Sequence, residues 1–477
     1  MRNVDCGTKI IIEPSEKIKQ FDTKKQTRGF VRAQQKRQRL LQLIPDDALI
    51  VALDLARKGH RVWMSTVRKQ PLHQLSIEHS VEGMQQLLRC AREIQAAHAL
   101  GQIVFAMEPT SHYWMNVATY FEHHDCNYVL VHPLSVKRER ESTYYRYSKS
   151  DYRDAELIAN LCAERKVTFT QLPKQPLWAE LKSAAIAYLT LTVMRSGEQM
   201  RLQCFLERLC PSYREVFSEL SGITARACLL AMREVFELPY EEFLLQVRNH
   251  HVKRRLYRCK VEGFYDLVRF ANPEWGALVY QDALRLPIAH AAERYELFET
   301  QITECEQQLL QLYERTEYAA YLNSIPHIGA VWHAATLGLI GDPAHYDSSR
   351  CLTRFAGMDI KEKQSGQFQG KTPITHRGHP WLRYVSYVAG FVLKTHDPVF
   401  RRRYSELTSR KTRPLKKNQA LVALGCKYLR IVWTLCNQKT YYDSQKARYG
   451  TKVKKHLSGE EHHSQSRRAV QPEDCFG

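Results

Sequence analysis

Leu49-Ile-Val-Ala-Leu-Asp54 is an apolar run of strand length that ends in a carboxylate. A second run, Ile103-Val-Phe-Ala-Met-Glu108, has the same form and is stopped by Pro109. An acid at the inner end of a hydrophobic strand is costly unless a cation meets it. These two acids therefore predict that something positively charged binds where the two strands end.

A pair of acids three residues apart follows these strands. Asp151 and Asp154 lie in a stretch that predicts the first turns of a helix, with both side chains on one face. Taken singly, a strand-end Asp is more often a turn or cap residue, and Asp151 suits the helix dipole. All four together, in the order strand, strand, helix, favour an oxygen-lined Mg²⁺ site. Two such ions can activate a water or hydroxyl and stabilise the leaving oxygen of a phosphodiester.

The pattern around these acids alternates strands with helices. Residues 61–67 predict an antiparallel neighbour of the Asp54 strand, residues 80–98 and 113–123 predict helices, and residues 128–131 predict a further strand. Two or three leading antiparallel strands, followed by strands alternating with helices, are the order of the ribonuclease H fold. We therefore predict an α/β domain with a mixed sheet flanked by helices.

Composition limits the partners and the compartment. The 477 residues suggest two to four domains, and 70 Lys and Arg against 50 Asp and Glu give a net charge of +20. A chain this basic predicts a polyanion partner, with DNA or RNA as the default. No apolar run approaches the roughly 18 residues that span a bilayer, and residues 1–6 lack the apolar core of a signal peptide. We therefore expect a cytoplasmic protein without a membrane partner.

The 13 cysteines are scattered and contain no C-x-x-C pair. This spacing argues against a zinc site and, in a reducing compartment, against a disulfide framework. A metal bound through oxygen is therefore the one that the sequence favours.

Two basic segments have the composition of nucleic-acid contacts. The first interleaves aromatic residues with cations just before the acidic pair, which suits stacking on bases and contact with phosphates; an ordinary loop with half-buried tyrosines has the same composition. The second surrounds Ser365, in a glycine-flanked loop, with cations that suit a phosphodiester. A serine is a poor nucleophile without a proton acceptor, so the residues alone favour a plain loop serine. The candidate contacts are Tyr144, Tyr145, Arg146, Lys149, Lys363, Lys371, Arg377 and Arg383.

The rest of the chain predicts helices. One heptad position holds Ile288, Tyr295, Ile302 and Leu309, which predicts a coiled coil that pairs subunits or folds back on another helix. The Ile325–Gly329 turn, followed by a helix at residues 330–340, predicts one hairpin of a helix-hairpin-helix, whose N–H groups would face a phosphate; a glycine that merely ends a turn is the alternative.

The predicted divisions follow from these patterns. They are a basic arm (1–47), the α/β domain with the four acids (48–170), a helical accessory region (171–287), the coiled coil (288–318), a mostly helical C-terminal domain with the serine (319–438) and a disordered polar tail (439–477).

In this order, the motifs resemble those of the DEDD transposases, or recombinases, of bacterial insertion sequences, the insertion sequence 110 family. The stretches that carry the resemblance are Ala52-Leu-Asp54, Met107-Glu-Pro-Thr110, Lys149-Ser-Asp-Tyr-Arg-Asp154-Ala, Ser324-Ile-Pro-His-Ile-Gly329, Ile340-Gly-Asp342, Phe355-Ala-Gly357, Gln364-Ser-Gly366 and Thr375-His-Arg-Gly378 followed by Leu382-Arg383. Residues 48–165 and 320–395 contain them.

The resemblance implies a function and a set of partners. It implies that Asp54, Glu108, Asp151 and Asp154 bind the metal and that Ser365 becomes covalently joined to a DNA strand. It also implies donor and target DNA, a structured guide (bridge) RNA from the element, and a homodimer or homotetramer. We therefore predict a Mg²⁺-dependent, RNA-guided DNA transposase.

Two other functions are compatible with the same residues. One is a metal-dependent junction resolvase or nuclease in which the four acids act and water is the nucleophile. The other is a non-catalytic nucleic-acid-binding protein whose acids are structural. A covalent protein–DNA product distinguishes the transposase from the first, and retention of activity in Asp54→Ala would indicate the second.

Overall fold

The structure is a computed structural model that divides the chain into two units, Met1–Lys174 and Gln175–Gly477. The residues that it describes are 34–35, 37–109, 112–143, 151–168, 175–233, 238–251, 256–269, 281–360, 364–365, 368–369 and 373–449. No helix within these ranges combines the length and the apolarity that crossing a bilayer requires.

Within its described residues, the first unit contains a mixed sheet of five strands. They are β1 (Leu49–Asp54), β2 (Gly59–Thr66), β3 (Pro71–Glu78), β4 (Ile103–Met107) and β5 (Tyr128–Leu130). The order is β3-β2-β1-β4-β5, with β1, β2 and β3 antiparallel and β4 and β5 parallel to β1. The prediction of a mixed α/β sheet is confirmed. The second strand begins at Gly59, two residues before the predicted start.

Residues 37–43 are helical, and four further helices accompany the sheet in the described part of this unit. They are α1 (Val81–Ala97), α2 (Tyr113–His123), α3 (Pro133–Thr143) and α4 (Asp151–Ala163). The start of α1 follows from its cap, because the Ser80 side chain accepts a hydrogen bond from the Gly83 N–H at 3.1 Å. The predicted helices at 80–98 and 113–123 are therefore observed within one residue of their predicted ends.

The two faces of the sheet have different cores because side chains alternate along a strand. Leu49 and Leu53 of β1 belong to the core that α1 and α2 cover. Ile50 and Ala52 belong to the core that α4 covers, where they meet residues such as Ile158. The even-numbered positions of β1 therefore face α4.

The described part of the second unit is helical apart from one short hairpin. Its helices are α5 (Pro176–Leu209), α6 (Tyr213–Val216), α7 (Ile223–Leu230), α8 (Tyr240–His250), α9 (Arg258–Arg269), α10 (Gln281–Glu314), α11 (Ala319–Asn323), α12 (Ala330–Ile340), α13 (Ser349–Phe355), α14 (Pro380–His396), α15 (Pro398–Ser409), α16 (Lys417–Gln438) and α17 (Ser444–Tyr449), with 3₁₀ turns at Ala231–Arg233 and Pro343–His345. The hairpin consists of β6 (Gln364–Ser365) and β7 (Phe368–Gln369).

The predicted heptad positions lie in α10, which packs along α5 of the same chain. Ile288 and Leu309 are fully buried, and Tyr295 and Ile302 are 5% exposed. An ion pair between Arg195 and Glu299, at 3.0 Å, also joins the two helices. Within the chain, the apolar seam therefore folds back on another helix.

The α5–α10 pair carries two separate cores. Leu202 of α5 and Ile288 of α10 belong to a core that α7, α8 and α9 share. Leu189 of α5 and Leu309 of α10 belong to a larger core with α12, α14 and α16. The helices that hold the C-terminal motifs therefore pack on one half of a long helical hairpin.

Candidate active site

Asp54 and Glu108 occupy equivalent positions at the C-terminal ends of neighbouring parallel strands. Leu53 pairs with Met107 in the β1–β4 register, so these acids are the next residues along the two strands. Both continue the even-numbered series, Ala52 and Ala106, that faces α4. Because neighbouring strands lie about 4.8 Å apart, the register places the two acids side by side at one edge of the sheet.

The first turn of α4 lies at this same edge. At the other end of the helix, Glu164 pairs with Lys69 at 2.5 Å, and Arg165 donates to the Ile44 carbonyl at 2.9 Å. Both partners lie where β1 begins, because the turn that holds Lys69 follows β2 beside Leu49. A helix of 13 residues is about 20 Å long, which is close to the length of a six-residue strand. The N-terminal turn of α4 therefore reaches the edge where β1 ends.

Asp154, in that first turn, is 4% exposed. Arg140 of α3 binds it, with both Nε and Nη2 2.9 Å from Oδ1. A buried carboxylate is costly without a cation, and Arg140 supplies one. Sequence reasoning missed this residue, because nothing in the local pattern of α3 distinguishes Arg140 from the basic residues around it.

Three of the four predicted acids thus share one end and one face of the sheet. The backbone of Asp151 begins α4, but its side chain is outside the description. Among the side chains that are described, no group of three or more His, Cys, Asp and Glu residues is gathered closely enough to hold a metal. The donor set itself fits a divalent cation such as Mg²⁺, because all its members are carboxylates. To bind that ion, the Asp154 carboxylate would have to give up its ion pair with Arg140.

A histidine pair supports the turn that follows Asp54. His60 is fully buried, its Nδ1 accepts a hydrogen bond from the Ala56 N–H at 3.3 Å, and its Nε2 lies 2.9 Å from Nδ1 of His79. Burial, with a smaller contribution from His79, lowers the pKa of His60 to about 4. His60 is therefore neutral near pH 7. Since Ala56 is two residues from Asp54, this imidazole helps to fix the end of β1.

Ser365 lies in the short hairpin of the second unit. It pairs with Phe368, and Ile360 pairs with Ile374 where the two chain segments approach each other. The described backbone therefore places Ser365 in a short antiparallel strand pair within an otherwise helical unit; its side chain is not described.

Two glycines of the motifs, Gly357 and Gly378, meet where the chain segments on either side of this strand pair come together. We call residues 355–357 and 375–378 the platform. Gly357 has φ +69°, and a Cβ there would lie 2.9 Å from the Gly378 backbone N. Arg383 donates from Nη1 to the Ala356 carbonyl at 2.9 Å. The Phe355–Gly357 and Thr375–Gly378 stretches thus meet backbone to backbone, which no residue with a side chain would permit.

Of the eight predicted nucleic-acid contacts, the structure describes the side chains of two, Arg377 and Arg383. Arg377 is exposed, whereas Arg383 is partly buried and engaged with the platform. The other predicted contacts lie outside the described residues: Tyr144, Tyr145, Arg146, Lys149, Lys363 and Lys371.

The sheet order and the strand-end acids are those expected of a DEDD protein with a ribonuclease H-like domain. Comparison with protein families agrees with this class. A DEDD transposase model of the IS110 type matches residues 51–211, and a model described as "Transposase IS116/IS110/IS902 family" matches residues 319–405. Residues 51–211 and 319–405 therefore resemble the two domains of IS110/IS116-type transposases.

Two relatives come from insertion elements. The Insertion element IS900 uncharacterized 42 kDa protein of Mycobacterium paratuberculosis is 23% identical over 173 residues, which are 36% of this chain and 43% of the relative. The Insertion element IS116 uncharacterized 44.8 kDa protein of Streptomyces clavuligerus is 21% identical over 327 residues, which are 67% of this chain and 78% of the relative. The matched stretch thus spans less than half the length of the IS900 protein.

Proposed function

We propose that this protein is a Mg²⁺-dependent transposase that cleaves and exchanges DNA strands, guided by an RNA from its element, through a covalent bond to Ser365. The observation that carries the proposal is the placement of Asp54, Glu108 and Asp154 at one end and on one face of the sheet. Carboxylates gathered at one edge of a sheet suit a divalent cation, because carboxylate oxygens are its preferred ligands and its charge offsets the repulsion between the acids.

In this proposal, Asp54, Glu108, Asp151 and Asp154 hold the metal. Bound divalent cations would promote attack by a hydroxyl and stabilise the departing oxygen. Ser365 supplies the hydroxyl: its Oγ forms a bond to phosphorus, the bond from phosphorus to the ribose oxygen breaks, and the serine proton passes to a base while the ribose oxygen gains one. The phosphoserine ester keeps the bond energy, so a new ribose hydroxyl can reverse the step without ATP.

The arrangement of the second unit supports the role of Ser365. Ser365 pairs with Phe368, and the chain segments before and after this strand pair are held together where Gly357 and Gly378 meet backbone to backbone; a nucleophile requires this kind of positioning. Arg377, exposed within the platform, is a cation for the phosphate. The proposed partners are donor and target DNA, the guide (bridge) RNA and further copies of the chain in a homodimer or homotetramer.

The test is a covalent adduct. The full chain is incubated with junction DNA of its element, the flanking RNA and Mg²⁺, and denaturing gels are searched for a protein–DNA species. Ser365→Ala should abolish it, while the matched control Ser196→Ala, which changes an exposed serine within α5, should retain it. Leaving out the RNA should also abolish the adduct if the RNA guides the reaction.

Other outcomes would overturn parts of the proposal. Strand cleavage without an adduct in wild type would favour the resolvase with water as nucleophile. Binding without any cleavage would favour the non-catalytic protein. An adduct that forms equally well without RNA would contradict RNA guidance alone.

A further inference from the structure

Charge is strongly segregated along the second unit. Residues 373–449 contain 16 Lys and Arg against 3 Asp and Glu, a net +13, whereas residues 281–360 contain 5 against 11, a net −6. Half of the 16 cations fall in residues 401–417, where Glu406 is the sole acid. We call residues 401–417 the basic ridge. They comprise most of α15, the loop that follows it and the first residue of α16.

We propose that the basic ridge is a docking surface for the sugar–phosphate backbone of a nucleic acid. The inference rests on the proposed function only in taking a nucleic acid as the partner. Every cation of the ridge belongs to an exposed residue: Arg401, Arg402, Arg403, Arg410, Lys411, Arg413, Lys416 and Lys417.

Hydrogen bonds within the chain hold the loop of the ridge in place. The Leu415 N–H donates to the Leu407 carbonyl at 2.9 Å and closes the loop. Arg410 donates from Nε to the Arg413 carbonyl at 2.6 Å, and Gln419 accepts from the Lys416 N–H at 3.0 Å. Because the loop is already ordered, a ligand that binds it loses little affinity to conformational entropy.

The helices beneath the ridge are also held closely. A Cβ on Gly390 of α14 would lie 2.8 Å from the Gly425 N of α16, and one on Gly425 would lie 2.6 Å from the Ser386 carbonyl oxygen. The Asp397 side chain, 3% exposed, accepts from the Val399 and Phe400 N–H groups and caps α15. The helix that follows the ridge is therefore packed closely on α14, and the helix that carries most of the ridge has a buried cap.

The cations of the ridge differ in how they are neutralised. Arg402 and Arg403 share Glu406, at 3.2 and 3.0 Å. Within the described part of the chain, no carboxylate lies in ion-pair range of the Lys411, Lys416 or Lys417 amino group. The charges of these three exposed lysines are therefore available to a polyanion.

The end of α16 adds to the positive potential. Lys416 and Lys417 begin this helix of 22 residues, so its positive dipole end lies among the lysines. Phosphates in duplex DNA follow one another closely enough, about one charge per 1.7 Å of axis, to match several lysines at once.

A nucleic acid fits better than an anionic membrane. Interfacial membrane binding needs exposed apolar side chains beside the cations. The large apolar side chains that are exposed in the described residues include Phe391 and Tyr441, but none between residues 392 and 440. A purely polar, cationic surface is typical of phosphate-backbone contacts.

The experiment measures the salt dependence of binding to a labelled DNA duplex and to an RNA hairpin. It uses the Ser365→Ala background, so that binding is independent of strand chemistry. The test variant is K411A/K416A/K417A, and the matched control K260A/K439A/K446A removes the same charge elsewhere. In the control, Lys439 and Lys446 pair with Glu317 and Asp443, and Lys260 lies over the Tyr257 ring.

The ridge variant should reduce the slope of log K against log salt by about 2–3, because each lost phosphate contact removes about 0.9. Its affinity should fall at least about tenfold at low salt, while the control keeps its slope. Equal slopes in the two variants would overturn the proposal, as would lost binding to vesicles of 30% phosphatidylserine with unchanged nucleic-acid binding. Thermal unfolding of both variants shows that each is folded. Failure of the adduct test would leave this result intact, so the two proposals fail separately.

Discussion

The acidic end of the first unit and the basic ridge of the second organise charge in opposite ways. The acids lie where two strands end and a helix begins, and one of them, Asp154, is 4% exposed and paired with Arg140. The ridge lies on exposed helix ends, where water and salt screen its cations. The energy of a buried charge depends on a single nearby partner. Exposed charges bind a ligand through their combined potential, so each contributes only a part. We therefore expect sharp effects from single changes among the acids and graded effects along the ridge.

The largest expected effect tests the acidic end. Asp54→Asn keeps the shape of the side chain but removes a proposed metal ligand, and adduct formation should fall at least about 100-fold, since a bound metal contributes several kcal/mol to such reactions. The matched control is Asp46→Asn, which changes an acid that pairs with Arg165 near the start of the same strand. Full adduct formation by Asp54→Asn would show that the acid is structural.

A second prediction compares one buried imidazole in each unit. Burial lowers the pKa values of His60 and His333 to about 4, while an unfolded histidine has a pKa of about 6.5. As the pH falls from 6.5 to 4, the unfolded chain takes up protons that the folded chain does not. The free energy of unfolding should therefore fall over this window, by up to about 3 kcal/mol for each histidine, and level off below pH 4.

Denaturant titrations at pH 7 and pH 4.5 measure this effect. His60→Gln should reduce the pH dependence of the first unit, and His333→Gln that of the second. An unchanged pH dependence in both variants would contradict burial as the cause.

The third prediction concerns the partner of Asp154. Arg140→Ala leaves a buried carboxylate without its cation, and the free energy of unfolding should fall by about 2 kcal/mol; the value is below that of a fully buried pair because the Arg140 side chain is 35% exposed. Mg²⁺ should then raise the melting temperature more in Arg140→Ala than in wild type, because the ion can take the place of the guanidinium.

Arg140→Lys is the control for this change, since it keeps the charge and should retain most of the stability. Equal stability of Arg140→Ala and wild type without metal would show that the ion pair contributes nothing. An equal Mg²⁺ response in the two proteins would show that the metal does not compete with Arg140.

The smallest expected effect concerns the stability of the second unit and compares two of its helical glycines. Gly197 lies inside α5, and a Cβ there would meet nothing within 4 Å. Gly197→Ala should therefore raise the free energy of unfolding of this unit by about 0.5–1 kcal/mol. Gly338→Ala should have the opposite sign, because its Cβ would lie 2.6 Å from the Leu181 carbonyl oxygen. Stabilisation by both changes would contradict the packing of α12 on α5.

Much of the first unit could be predicted from the sequence. The strands that end at Asp54 and beside Glu108, and the helix that begins at Asp151, are observed at their predicted places. Their signals are local: an apolar run of five or six residues with a terminal acid, and a helical face with two acids. In the second unit, the heptad seam is observed as buried, but α10 begins at Gln281, seven residues before the predicted coiled coil.

The partners of these residues could not be predicted. Arg140 precedes Asp154 by 14 residues and lies on another helix, and His60 meets His79 across two strands. The meeting of Gly357 with Gly378 and the closed loop of the basic ridge also join separated segments. Sequence spacing along one helix or strand says nothing about such contacts.

The sequence by itself determined the types of elements and which of their faces are apolar or charged, because periodicity and turn residues act over a few positions. Only the tertiary structure decided which charges meet. The energy of a buried carboxylate depends on a cation a few ångströms away in space, and that distance is set by how α3, α4 and β1 pack together rather than by their order in the chain.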